Sequence, residues 1–280
     1  MYEKESAMKI SIITINFNNA EGLKRTLESV AVQTYREYEH IIVDGNSTKD
    51  DSVKLIQEYD YQQRSTTNSP IIRWISDADK GIYAAMNRGV RMAQGEYVLM
   101  LNSGDSLVDE HVLEKIVPQL DGTDIVQGNT IEERDGKTVQ NKGYGRSEIT
   151  MYDVIDGNFL HQASFCQRDL FVRYGYFDES YAIVADKKFF MTCLGLHDAS
   201  FKYVNFDVAN FDTTGISSAT SGEWHVKRKA EFARLLNEIF SSRLRASLER
   251  DEQNDLTDKL NRHNGVKKIT EFMLRIVDRK

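Results

Sequence analysis

The chain is predicted to be an α/β protein with a largely parallel central sheet flanked by helices, and three observations predict it. Short apolar runs alternate with segments of helical period through the first third of the sequence. Two of these runs, Ile41-Ile42-Val43 and Tyr97-Val98-Leu99-Met100-Leu101, pass directly into polar turns that each carry acid, Asp44-Gly45-Asn46-Ser47 and Asn102-Ser103-Gly104-Asp105. At 280 residues and 40% hydrophobic content, with 13 Tyr and 13 Phe, the chain can bury one large core or a domain with an appendage. Apolar strands that deliver carboxylates to one rim of a parallel sheet place them where open α/β folds bind ligands. A metal-assisted nucleotide site is therefore the leading expectation.

The elements follow in order. Lys9–Ile15 reads as a strand, and Ala20–Gln33 as a helix with Leu23, Leu27 and Val30 on one face. His40–Val43 is a buried strand, Asp51–Tyr59 a short helix, Ile71–Ile75 a strand, Ile82–Ala93 a helix and Glu96–Leu101 a strand. Gly95 suits the position just past a helix end. After Asp105 the rhythm changes: a helix near Glu110–Leu120, a strand at Asp124–Gln127, then a hairpin over Glu132–Lys142 turning at Asp135-Gly136. Phe159–Gln167 mixes polar and apolar residues, and Ile183–Leu194 resembles a helix. From Glu223 two amphipathic helices follow, the first through Phe232, Leu235, Leu236, Ile239 and Phe240, the second through Ile269, Phe272, Met273, Ile276 and Val277.

Composition excludes several classes. No stretch approaches the ~20 apolar residues of a membrane span, and the polar Met1–Met8 lacks a signal-peptide core. Two cysteines, Cys166 and Cys193, fit a reduced, cytoplasmic protein, and nothing resembles a zinc-ligand cluster. Residues 220–280 hold 14 basic and 10 acidic residues, a charge of +4, which leaves −11 of the total −7 on residues 1–219. An acidic body argues against nucleic acid as a partner. The basic tail suits an anionic surface, although a solvated helical face explains it equally well.

Five motifs in order carry a family resemblance. Ser11-Ile12-Ile13-Thr14-Ile15-Asn16-Phe17-Asn18 is followed by Ser29-Val30 with Gln33-Thr34, and by Val43-Asp44-Gly45-Asn46-Ser47. Ser76-Asp77-Ala78-Asp79-Lys80-Gly81-Ile82-Tyr83-Ala84-Ala85-Met86-Asn87-Arg88-Gly89 and the Asn102–Asp105 turn complete the set. Together they resemble a family 2 glycosyltransferase of the GT-A fold, the likeness running through His161-Gln162 and Ala185-Asp186 to Phe211-Asp212. It is nearest in look to bacterial enzymes of exopolysaccharide or O-antigen biosynthesis. The resemblance implies a GT-A domain over 1–219, with a nucleotide-binding part near 8–105, an acceptor-facing part near 106–219, and a helical extension over 220–280.

The same resemblance implies an inverting, metal-dependent transfer of a sugar from a nucleotide diphosphate donor, UDP by default, to a glycan or lipid-linked hydroxyl. Asp44 is expected to hold the nucleobase, with Thr14 and Asn16 beside the nucleotide through their backbone, Asp77 at the ribose or base and Lys80 at a phosphate. As plain residues, Asp44 also suits a helix cap, and Asp77 and Lys80 suit an ordinary turn. Asp105 matches the last acid of an Asp-x-Asp-type motif and is expected to bind Mg²⁺ or Mn²⁺. Asp186 matches the family's base, its pKa expected to rise through burial beside other acids. His161 and Gln162 are expected at the acceptor or as a further metal ligand. The chain departs from the family at Gly45 and Gly104, where acids are often found, and at Lys187-Lys188, where an aromatic-acid pair is common.

Two alternatives stay open on sequence grounds. A scaffold or partner subunit that has lost turnover would explain the thinned acids. A nucleotidyltransferase would need a Gly-rich basic loop after the first strand, where Asn16-Phe17-Asn18-Asn19-Ala20-Glu21-Gly22 stands instead. Trp224 and His225 read as helix-start packing residues. The tail, with Arg243, Arg245, Lys267, Lys268, Arg275 and Arg279, is expected to pack on the body, to form a homodimer, or to dock on the inner membrane face.

Overall fold

A computed structural model describes residues 8–134, 136–156, 159–215 and 221–240. The first third shows the predicted alternation: β1 (Ile10–Asn16), α1 (Ala20–Ala31), β2 (Tyr38–Asp44), α2 (Ser52–Arg64), β3 (Ile71–Ser76), α3 (Ile82–Met92) and β4 (Tyr97–Met100). β1, β2 and β4 are buried on both faces, as a helix-covered parallel sheet requires, with apolar residues at most positions and buried polar ones such as Thr14, Glu39 and His40 among them. α1 starts where Asn19 Oδ1 accepts from the Gly22 amide at 3.1 Å, and it buries Leu23, Leu27 and Val30.

The second part is more irregular. β5 (Ser106–Leu107) precedes α4 (Val112–Ile116), whose end tightens through Val117–Gln119. The expected hairpin is β6 (Ile125–Arg134) and β7 (Lys137–Asn141), followed by α5 (Met151–Asp156), β8 (Ser164–Gln167) and α6 (Asp169–Tyr174). α7 (Ala185–Phe190) widens into a π-type turn over Met191–Leu196, and β9 (Phe201–Phe211) and α8 (Gly222–Ile239) follow. The second tail helix and the basic residues from Arg243 onward lie outside the described residues. Trp224 does not pack as expected: it is 41% exposed.

One sheet runs in the order β3-β2-β1-β4-β8-β6-β9-β5, with β7 beside β6. The four strands β3, β2, β1 and β4 are mutually parallel, whereas β8 pairs antiparallel with both β4 and β6. The connections leave β1 first toward β2 and later toward β4, so the strand order reverses between β1 and β4. The carboxyl ends of these two strands frame the crevice where such folds bind ligands. Cys166 and Cys193 are both buried and free.

A chain of neutral hydrogen bonds crosses the core behind that crevice and accounts for Thr14. The Thr14 hydroxyl donates to the Leu101 carbonyl at 2.8 Å, so it must accept from His40 Nε2, 2.9 Å away. His40 Nδ1 then accepts from the Tyr59 hydroxyl at 3.0 Å. Thr14 is fully buried and its side chain ties β1 to β2 and β4, so any part it has beside a nucleotide falls to its backbone, as expected from sequence. Burial without a carboxylate partner pulls the His40 pKa down to about 3. The unfolded chain takes a proton there near pH 6.5, while the folded chain does not until about pH 3. Stability should thus fall with decreasing pH across that window, by up to about 1.4 kcal/mol per pH unit from this residue. Urea unfolding of His40→Gln between pH 6 and pH 4.5 should show a shallower slope than the parent protein; equal slopes would refute the assignment.

Candidate active site

A cavity of about 810 Å³ opens at the β1/β4 switch point, walled by the turns after β1, β2, β4 and β9, the turn before α3, and His161. Of the residues predicted from sequence, Asn16, Asp105 and His161 line it, and Thr14, Asp44, Asp77, Lys80, Gln162 and Asp186 do not. Each placement has a local cause.

Asp44 closes β2 with a fully buried carboxylate. Oδ1 accepts from Asn16 Nδ2 at 2.8 Å and Ser47 Oγ at 2.6 Å; Oδ2 accepts from the Ser47 amide at 2.9 Å and Ser76 Oγ at 2.6 Å. Burial alone would raise its pKa, but these donors more than offset it and hold the acid ionised. Its carboxylate oxygens are occupied by these donors, so it shapes the turn that carries Gly45 and Asn46 to the cavity. In the turn before α3 the sequence reading found the right loop: Ala78, Asp79 and Gly81 line the cavity, whereas Asp77 pairs with Arg88 at 3.2 Å and Lys80 points to solvent. Gln162 is buried beside His161.

The acids beyond β4 form the polar end of the cavity. Asp105 is almost fully buried; its Oδ1 accepts from the Asp212 amide at 2.9 Å. Burial pushes its pKa up to about 6, with His161 working the other way. Asp212, at the end of β9, takes Arg25 at 3.2 Å and the Thr214 hydroxyl at 2.6 Å, and these donors outweigh burial and lower its pKa. Gly104 has φ +111°, and a Cβ there would stand 2.5 Å from Asp212 Oδ2. The Asp212 carboxylate thus occupies the space beside Gly104 in which an acid of the motif would begin. Likewise, a Cβ on Gly45 would stand 3.0 Å from Asp79 Oδ2.

Among the described residues no group of three or more His, Cys, Asp or Glu forms a complete metal cage. Asp105 with Asp212 fits the sparser set of Mg²⁺ or Mn²⁺, which takes one or two carboxylates and fills its remaining positions with phosphate and water oxygens.

His161 lines the cavity close to Asp105, with Nδ1 3.5 Å from Asp186 Oδ2 and Nε2 3.4 Å from Asn102 Nδ2. Burial would lower the His161 pKa, but Asp186 and Asp105 together raise it. Asp186, in the first turn of α7, also accepts from the Tyr83 hydroxyl at 2.8 Å. The expected upward shift of Asp186 is not found: burial pushes it up, but His161 and Tyr83 more than offset that and hold it below the usual carboxylate value. Sequence reading missed Phe17, 64% exposed on the cavity wall, and also Lys49, Asp79 and Asp212. The Asp212-Thr213-Thr214-Gly215 turn after a run of alternating apolar residues was the available signal for the last.

Residues 11–179, more than half of the chain, match the family model for glycosyl transferase family 2. The chain belongs to this family. An uncharacterised glycosyltransferase of Mycobacterium tuberculosis is 31% identical over 229 residues, covering 76% of this chain and 78% of the relative. A PGL/p-HBAD biosynthesis glycosyltransferase of Mycobacterium bovis is 29% identical over 218 residues, covering 77% and 81%. The crystal structure of Staphylococcus aureus TarS in complex with UDP-GlcNAc shares the fold with a TM-score of 0.61 at 18% identity, covering 82% of this chain and 67% of that one. A mannosyltransferase of Pyrobaculum calidifontis in complex with GDP-Man and Mn²⁺ shares it with a TM-score of 0.61 at 16% identity, covering 82% and 64%. The protein is a glycosyltransferase with the GT-A architecture.

Gly104→Ala forces a left-handed backbone on a residue with a Cβ and drives that Cβ into Asp212. The variant should lose about 1–3 kcal/mol of stability in chemical denaturation, whereas Gly136→Ala, left-handed at φ +71° but with open space around it, should lose less.

Proposed function

We propose that this glycosyltransferase moves a sugar from a UDP-sugar to a hydroxyl of a glycan or lipid-linked acceptor, with inversion and with Mg²⁺ or Mn²⁺ bound at Asp105. The observation that carries the reading is a buried acid on the cavity wall, Asp105, linked through the cavity-lining His161 to a second acid, Asp186, that His161 and Tyr83 hold in its ionised form. The TarS complex with UDP-GlcNAc favours UDP, and the mannosyltransferase complex with GDP-Man and Mn²⁺ favours a divalent ion. Phe17 offers a ring to the nucleobase, while Lys49 offers a cation on the same wall. Asp105 and Asp212 would hold the metal, which when bound neutralises charge on the departing diphosphate.

In the transfer the acceptor oxygen attacks the anomeric carbon from the face opposite the diphosphate. The bond from that carbon to the phosphate oxygen breaks, its electron pair leaves with the nucleoside diphosphate, and the hydroxyl proton passes to Asp186. A carboxylate held ionised by hydrogen-bond donors is a weak base, so it takes the proton late, once the attacking oxygen has become acidic. His161, standing between Asp186 and Asp105, would orient the hydroxyl and separate the two acids. Retention of a buried, cation-seeking Asp105 favours an active enzyme over a scaffold that has lost turnover.

Calorimetric titration of UDP and of GDP with Mn²⁺, then with EDTA, tests the donor reading. UDP should bind in a Mn²⁺-dependent way, and Asp105→Asn should weaken it at least about tenfold. Because burial disfavours the charged form of Asp105, the same variant should unfold at a temperature equal to or above that of the parent. Failure of either nucleotide to bind under any metal condition would falsify this function.

A peripheral place at the cytoplasmic membrane face is supported by the start of α8, where Trp224 and Val226 are exposed beside Lys227 and Lys229. No helix among the described residues is long and apolar enough to cross a membrane. The protein should sediment with phosphatidylglycerol vesicles and not with phosphatidylcholine vesicles. Reversing Lys227 and Lys229 to Glu should weaken the phosphatidylglycerol association by about tenfold or more; unchanged sedimentation would remove this surface from consideration.

A further inference from the structure

α3 carries more than its own packing requires. Its first turn follows the Ala78–Gly81 loop on the donor side of the cavity, and its inward face reaches the segment that bears Asp186. Tyr83 is buried, with its hydroxyl 2.6 Å from the Ile183 carbonyl and 2.8 Å from Asp186 Oδ1. One turn further, Asn87 donates to the Phe177 carbonyl at 2.8 Å and to Glu179 Oε1 at 2.9 Å, and accepts from the Phe177 amide at 2.9 Å. Residues four apart share a helix face, so Tyr83 and Asn87 grip the two ends of the 177–186 stretch from one rigid element. The Tyr83 ring packs on Phe177 at 5.7 Å between centroids.

We propose that Tyr83 is a positioning residue for the transfer: its hydroxyl, anchored on the Ile183 carbonyl, sets the Asp186 carboxylate and links it to the donor-side loop. The inference rests on Asp186 acting as the base. A phenol has one proton, and here two acceptors share it. Since a carbonyl oxygen never donates, the anchor at Ile183 persists whichever form Asp186 takes. Toward Asp186 the phenol donates while the acid is ionised and accepts once Oδ1 is protonated. The carboxylate can therefore gain the acceptor's proton and lose it again with no heavy atom moving. A base fixed in both states needs no rearrangement during the displacement, which is the use of such a link.

The other groups facing Asp186 do not duplicate this role. His161 approaches the second carboxylate oxygen at the longer distance of 3.5 Å and is itself drawn toward Asp105. Lys188 is committed to Asp178 and Glu238, each at 2.7 Å, and Lys187 lies over the Phe232 ring at 5.0 Å. Tyr83 alone among these joins the base to the element that carries the donor loop.

Tyr83→Phe keeps the ring and removes the hydroxyl. Transfer should show kcat lower by about 10- to 100-fold, a donor KM within about threefold of the parent, and an acidic limb of the kcat profile moved to higher pH, because Asp186 loses a donor that favoured its ionised form. Mn²⁺-dependent UDP affinity, measured on the same variant, should be unchanged. Asp186→Asn should abolish transfer while binding UDP, and adding Tyr83→Phe to it should cost nothing further. Parental kcat and pH profile in Tyr83→Phe, with Asp186→Asn inactive, overturn the role of Tyr83 alone. Loss of UDP binding in Tyr83→Phe makes the link a folding contact and overturns it as well. Substantial activity in Asp186→Asn overturns the base assignment and, with it, this inference.

Discussion

The Asp44 carboxylate is the constraint on which the site depends. It accepts from Asn16 at the end of β1, from Ser76 at the end of β3 and twice from Ser47 in its own turn. Three adjacent parallel strands therefore finish at a common height, and each following turn leaves in a fixed direction. Hydrogen bonds to an ionised group are stronger than neutral ones, and a buried charge left short of donors is costly. The turn after β2, the Phe17 turn and the loop before α3 are thus held by one anion. From that base Gly45 and Asn46 reach the cavity while Asp44 stays beneath them.

The fold was legible because its signals are periodic. Apolar runs of strand length alternate with helical faces up to Leu101, and burial rewards both patterns strongly enough to override local detail. The later strands were less visible for a physical reason. β9 alternates Val204, Phe206 and Val208 with Asn205 and Asp207, but it is flanked by Lys202 and Asn210 and lies in a part where parallel and antiparallel pairs mix. Site residues were legible at the level of loops more than of side chains. In the turn before α3, Asp77 and Lys80 are the residues with the expected chemistry, yet Asp79 faces the cavity, since an irregular turn has no period from which to read direction. Phe17 was quoted only as part of a motif and given no role, although the left-handed Asn18, φ 49°, turns the chain there and leaves the ring 64% exposed.

Two acids within one site are shifted in opposite directions by their surroundings. Asp105 is buried, and the Asp212 amide and His161 offset that burial only in part, so the ionised form is disfavoured. Asp186 has Tyr83 and His161 against it and stays ionised despite burial. The first environment seeks a cation; the second is already compensated and holds a charge in place. Division of labour between carboxylates commonly arises this way, from partners and not from residue type.

The same logic addresses the glycines that thin the acidic motifs. Read along the chain, Gly45 and Gly104 are losses, and they give a scaffold interpretation its force. In space, each lies against a carboxylate from another turn: Asp79 Oδ2 within 3.0 Å of where a Cβ on Gly45 would be, and Asp212 Oδ2 within 2.5 Å at Gly104. A side chain at Gly104 would collide with the Asp212 carboxylate, and one at Gly45 would crowd the end of Asp79, so each glycine leaves room for an acid from another turn. Negative charge at a rim is set by where carboxylates end, whichever strand supplies them. A motif with glycines among its acids looks depleted in sequence, while Asp79 and Asp212 bring charge to the cavity from other turns.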